Sequence, residues 1–126
     1  MRPSDVAIWD AFILSHPDAF HRVWYDVHIG DPISDEKERQ HMIDSGMYDV
    51  SCWCVDVIAD DGSEYWVIEI KPNALAGALG QALAYTKLLE KEKHFDKPLQ
   101  PAVLTDNIAP ITQQAAMLLG VPLFTP

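Results

Sequence analysis

The residues best placed by type and spacing to do chemistry are Asp56, Glu69 and Lys71. Two carboxylates that lean toward each other can share one divalent cation. Between Asp56 and Glu69 lies Asp60-Asp61-Gly62-Ser63, and an Asp-Gly pair between strand-like runs is a strong hairpin signal. If Asp61 and Gly62 form a two-residue loop, Asp60 pairs with Ser63, Asp56 lies opposite Val67 and Cys54 lies opposite Glu69. Side chains alternate along a strand. Val67, Glu69 and Lys71 then share a sheet face with Cys54 and Asp56, and Trp66, Ile68, Ile70, Val55 and Val57 take the other. Asp56 and Glu69 become diagonal neighbours with Cα atoms roughly 7–8 Å apart.

A carboxylate pair on one sheet face is unremarkable if water washes that face. Here the second strand, starting at Tyr65, is rich in aromatic and β-branched residues, and a largely apolar helix follows at once. The sheet is therefore expected to be covered. Burying Glu69 and Lys71 costs free energy unless each is paired or bound to a metal.

At these positions the chain resembles the PD-(D/E)XK nuclease superfamily. The matching residues are Asp56 on one strand, Glu69-Ile70-Lys71 on the next, and a helix carrying Gln81-Ala82-Leu83-Ala84-Tyr85, which resembles the Gln-x-x-x-Tyr element of the RecB-like branch. The run WVIEIKP followed by GQALAY looks most like small stand-alone phage and prophage proteins of that superfamily. The motif-level likeness covers residues 52–85, and the order of elements extends it to residues 5–125.

The resemblance implies metal-dependent hydrolysis of phosphodiester bonds in nucleic acid, DNA in the first place. Asp56, Glu69 and the backbone carbonyl of Ile70 would hold Mg²⁺ or Mn²⁺, hard cations suited to oxygen ligands. Lys71 would orient a water or stabilise charge developing at phosphorus. Gln81 and Tyr85, on one helix face, would position the nucleic acid or the catalytic groups. The family often adds an acidic ligand from the first helix, for which Asp10 is available. An upstream histidine ligand is not assignable.

Composition narrows the field. A chain of 126 residues is read as one domain with a core of its own. No apolar run reaches the length of a membrane span, and the first residues lack a secretory pattern, so a cytoplasmic or virion location is expected. Cys52 and Cys54 point the same way on a strand and lack a second pair at zinc spacing, so they read as small core residues. No His-x-x-x-His pair supports a zinc hydrolase. The net charge of −10 is unusual for a protein that holds nucleic acid by itself, since phosphate neutralisation dominates such affinity. It implies help from a partner or a homo-oligomer. Lys87, Lys91, Lys93 and Lys97 cluster near the end of the long helix, and they read as a solvated, dipole-complementing end more than as a phosphate patch.

The elements that must position the site read in order. Residues 4–15 form a helix with Ser4 as N-cap and Val6, Trp9, Phe12 and Ile13 as its apolar stripe. Residues 20–29 form a strand closed by Gly30-Asp31-Pro32. A polar helical insertion is expected near 33–46, over the site mouth or at a partner contact. After the hairpin, Pro72-Asn73 breaks the strand and caps a helix over residues 74–93, in which Gly77 and Gly80 are explained by close approach to the sheet. Residues 101–105 form a buried strand, Pro110 opens a helix ending at Gly120, and residues 121–124 form a last strand. The order α-β-(α)-β-β-α-β-α-β predicts an α/β restriction-endonuclease-like core, a mixed central sheet flanked by helices. The alternative function is a phage structural or assembly protein that keeps this fold and works by contact with other phage proteins.

Overall fold

The computed structural model describes residues 1–29, 37, 40 and 53–126. The polar insertion expected near 33–46 lies outside the described residues apart from Lys37 and Gln40, as does Cys52. Five strands form one mixed sheet in the order β1 (Arg22–Ile29), β2 (Trp53–Asp60), β3 (Tyr65–Ile70), β4 (Leu99–Leu104) and β5 (Leu123–Phe124). The first three are antiparallel, and β4 and β5 continue parallel to β3. Helix α2 (Ala76–Glu92) is the β3–β4 crossover and α3 (Pro110–Leu119) the β4–β5 crossover, while α1 (Pro3–Ser15) precedes the sheet.

Alternation along the strands builds two covered faces. On one, Ile8, Trp9 and Phe12 of α1 pack on Val57, Ala59, Ile68, Ile70, Ala102 and Leu104. On the other, Leu79 and Ala82 of α2 meet Val103, and Leu89 meets Ile58, Val67 and Leu99. Each large apolar side chain buried this way contributes about 1.5–3 kcal/mol. A strand between two helical layers must be apolar on both sides, and residues 67–70 of β3 are all buried, with Glu69 as the exception in chemistry.

Several expectations need correction. Helix α1 begins one residue earlier, at Pro3, with Arg2 and not Ser4 in the cap position. Proline suits the first helical position because its missing N–H would be unpaired there anyway. The buried stripe then runs through Asp5, Ile8, Trp9 and Phe12, leaving Val6 exposed. The hairpin loop has four residues, because Asp60 pairs with Tyr65 and not with Ser63. The Asp61 carboxylate accepts the N–H groups of Ser63 and Glu64, each at 2.7 Å, and the Trp66 indole N–H at 2.9 Å. Those three bonds hold a wider loop, with Gly62 at φ 99°.

Val55 and Val57 separate: Val57 joins the α1-side core, and Val55 packs with Val67 and Leu89 on the α2 side. The change of face falls where Asp26 of β1, at φ 49°, and Asp56 drop out of the β1–β2 pairing. Gly77 and Gly80 are exposed, with nothing within 4 Å of an added Cβ, so close approach does not explain them. Asn73 takes a left-handed φ of 46° and its side chain accepts from Asn107, while Leu75 occupies the cap of α2. The β3–α2 turn is pinned instead by Ala74 N–H on Thr105 Oγ1 (3.0 Å) and Thr112 Oγ1 on the Ala74 carbonyl (3.1 Å).

Candidate active site

The wider loop shifts the hairpin register by two residues. Val57 pairs with Ile68 and Ile58 with Val67, so the next position sets Asp56 directly opposite Glu69. A shift of two preserves which face each side chain takes, so Glu69 stays on the α2 side while its neighbour across the sheet changes from Cys54 to Asp56.

Beyond Val57–Ile68 the regular ladder stops, and side-chain carboxylates accept backbone N–H groups there. The Asp56 carboxylate accepts the Ile70 N–H at 2.8 Å, and the Glu69 carboxylate accepts the Asp56 N–H at 3.4 Å. Meanwhile the Lys71 N–H donates to Leu104 on the opposite side of β3. The strands thus fork, with one carboxylate from each filling the gap. In an antiparallel pair a residue turns its N–H and C=O to the same neighbour, so the Ile70 carbonyl also faces the fork.

Burial and mutual repulsion govern the charge here. Glu69 is buried, and burial first, then the Asp56 charge, push its carboxyl up to about 9. Asp56 is also raised, chiefly by burial, against the opposing pull of the Ile70 N–H. In the absence of a cation the pair therefore retains a proton near neutral pH. Among the described residues Lys97, Lys87 and the Met1 ammonium form ion pairs with Asp60, Glu90 and Asp26, and the Met1 charge also pulls Asp56 down, against the stronger upward push of burial.

A third carboxylate acts on the pair. Asp5 is buried in the first turn of α1, where it accepts the Arg2 N–H at 3.2 Å, and its charge raises both Asp56 and Glu69. Of the two acids on α1, Asp5 and Asp10, it is the buried one. Asp10, the residue singled out from the sequence, is exposed and lines a surface hollow with Ile13 and Leu14. The spacing of Asp5 was the signal, since it lies three and four residues before Ile8 and Trp9 and so shares their helix face.

Tyr85 joins the site: burial, then the charges of Glu69 and Asp56, raise its phenol above the ordinary value. Trp53, which the sequence reading did not single out, packs its ring 5.9 Å from that of Tyr85. Lys71 and Gln81 are exposed, and among the described residues neither bonds to the carboxylates. The structure thus brings Asp56, Glu69, Ile70 and Tyr85 together and leaves Lys71 and Gln81 on the surface nearby in sequence. Lys97, counted with the helix-end lysines, instead grips both Asp60 oxygens at 3.0 and 2.9 Å.

The donors at the fork suit a hard divalent cation: two carboxylates short of positive charge and a carbonyl, all oxygen. Among the described residues no group of three His, Cys, Asp or Glu side chains converges tightly enough to hold a metal.

No family model and no curated protein matches the chain. Among solved structures it is similar to one described as the EndoMS–dsDNA2 complex, with a TM-score of 0.54 and 14% identity, covering 100% of this chain and 47% of that one. The chain thus spans about half the length of the solved chain it matches. At this identity the likeness concerns the fold, an α/β mixed sheet flanked by helices of the restriction-endonuclease-like kind. Among the described residues no helix is long and apolar enough to cross a membrane.

Proposed function

We propose that this chain is a nuclease of the PD-(D/E)XK type that hydrolyses phosphodiester bonds of nucleic acid with Mg²⁺ or Mn²⁺. One observation carries the reading: two carboxylates, the buried Glu69 and the half-buried Asp56, fill a strand fork and have no salt-bridge partner among the described residues. Structures of this kind cost folding free energy and are kept where a bound ion or a reaction uses them. The likeness to a protein solved with double-stranded DNA makes DNA the favoured polymer.

Asp56, Glu69 and the Ile70 carbonyl would hold the cation. When bound, it supplies a Lewis acid for the phosphate and lowers the pKa of a water. Lys71, exposed at the end of β3, has the reach to orient that water or to stabilise charge on the phosphate oxygens. Tyr85 holds one wall of the site, and Gln81, one helical turn earlier and exposed, contacts the polymer. The acidic surface leaves little general attraction for phosphate, so a partner or second subunit would supply it.

Calorimetric titration with Mn²⁺ and Mg²⁺ tests the reading. Binding by the wild type that is lost in Asp56→Asn with Glu69→Gln supports it, and no specific binding by the wild type contradicts it. A second reading, assembly by protein contact in a phage particle, is favoured by Ile111, Met117 and Leu118, which are 70%, 74% and 88% exposed on α3. It predicts association through α3 and no cleavage.

A further inference from the structure

We propose that the strand taken at this site is unpaired, and that a base beside the carboxylates stacks on Trp53. The location rests on the nuclease reading. Trp53 lies three residues before Asp56 on β2 and is 52% exposed, although its ring is held against Tyr85 at 5.9 Å and 40°. Tyr85 itself sits within the field of Glu69 and Asp56. A large aromatic ring is therefore fixed by a neighbour and presented to water at the edge of the carboxylate pair.

A second aromatic group lies along the same side of α2. Tyr65, which shares a core cluster with Val67 and Tyr85, meets Trp24 at 6.1 Å and Phe95 at 5.6 Å. With Lys93 these rings line a hollow of about 200 Å³. The Arg22 guanidinium lies 5.0 Å from the Trp24 ring centroid. From Tyr85 to the end of the helix at Glu92 the chain advances roughly 10 Å, and Lys93 follows at the cap. Rings interleaved with isolated cations along a short path suit a single strand, whose bases offer π-faces for stacking.

Charge points the same way. A duplex hides its base faces and offers mainly phosphates, which a chain of net charge −10 attracts poorly. An unpaired strand can be held through its bases as well as its phosphates.

The test is fluorescence anisotropy of a labelled dodecathymidylate and a labelled blunt DNA hairpin, each titrated with the full chain in EDTA so that nothing is cleaved. Wild type is expected to bind the single strand about tenfold or more tighter than the hairpin. Trp53→Ala should lose about tenfold for the single strand, the scale of one base–aromatic stack, and Trp53→Phe should recover most of it. Circular dichroism verifies that both variants fold. Equal or tighter binding of the hairpin, unchanged affinity in Trp53→Ala, or no binding of the dodecathymidylate by wild type overturns the proposal. Cleavage with Mg²⁺ or Mn²⁺ judges the nuclease reading separately. A chain that binds the strand and cuts nothing loses that reading alone, and one that cuts but prefers the hairpin loses the stacking proposal alone.

Discussion

Asp56 and Glu69 lie one position beyond the last β2–β3 pair, Val57–Ile68, and each carboxylate accepts a backbone N–H from the opposite strand. The two side chains therefore shape the fork as well as fill it. This dual role predicts that removing their charge and removing their oxygen atoms have different consequences.

Asp56→Asn keeps an oxygen for the Ile70 N–H, whereas Asp56→Ala leaves that buried donor unsatisfied, at a cost of about 1–3 kcal/mol. Denaturant unfolding should show Asp56→Ala less stable than Asp56→Asn by that order. Equal stability would mean that Ile70 finds another acceptor.

The raised carboxyl of Glu69 fixes the sign of the pH dependence. The unfolded chain ionises Glu69 at its ordinary 4.5, and the folded chain holds the proton to about 9. Between those values the folded state binds more protons, so stability falls as pH rises through this window. Glu69→Gln, which retains an acceptor for the Asp56 N–H, should raise the midpoint of thermal unfolding at pH 8. The gain should shrink toward pH 4.5.

A cation at the fork takes the place of that proton. Mg²⁺ or Mn²⁺ binding near pH 7 should release about one proton, read as a dependence of calorimetric enthalpy on buffer ionisation heat. Saturating metal should also raise wild-type stability at pH 8, by about 2.7 kcal/mol at a hundredfold excess over Kd. Glu69→Gln should show neither effect.

Gly77 and Gly80 sit on the exposed side of α2 with open space around them. Gly77→Ala and Gly80→Ala should each stabilise the protein by about 0.5–1 kcal/mol through helix propensity. Unfolding of the single variants measures this directly. A loss of stability would restore the idea that the helix needs close approach at these positions.

Much of the site could be read from the chain because its determinants are local. The Asp-Gly turn, the aromatic and β-branched strand and the Pro72 break place Asp56 and Glu69 on facing strands whatever the loop length. The register itself could not be read, because the Asp61 carboxylate competes for Ser63, Glu64 and Trp66 and opens the loop. Asp5 was legible from its spacing to Ile8 and Trp9, although an acid on an apolar stripe reads at first as a first-turn, dipole-complementing residue. The separation of Val55 from Val57 depends on the left-handed turn of Asp26 in β1, a partner distant in sequence. The parallel placement of β4 followed from the helix between it and β3, since strands joined by such a crossover run parallel.

The most direct measurement of the central claim is cleavage of labelled single- and double-stranded DNA with Mg²⁺ or Mn²⁺ by wild type, Asp56→Asn, Glu69→Gln and Lys71→Ala. The account predicts metal-dependent products from wild type, with turnover abolished in the two carboxylate variants and reduced by about a hundredfold or more in Lys71→Ala, while all three variants remain folded. Cleavage that persists in Glu69→Gln, or a wild type that binds neither metal nor cuts either substrate, would contradict it.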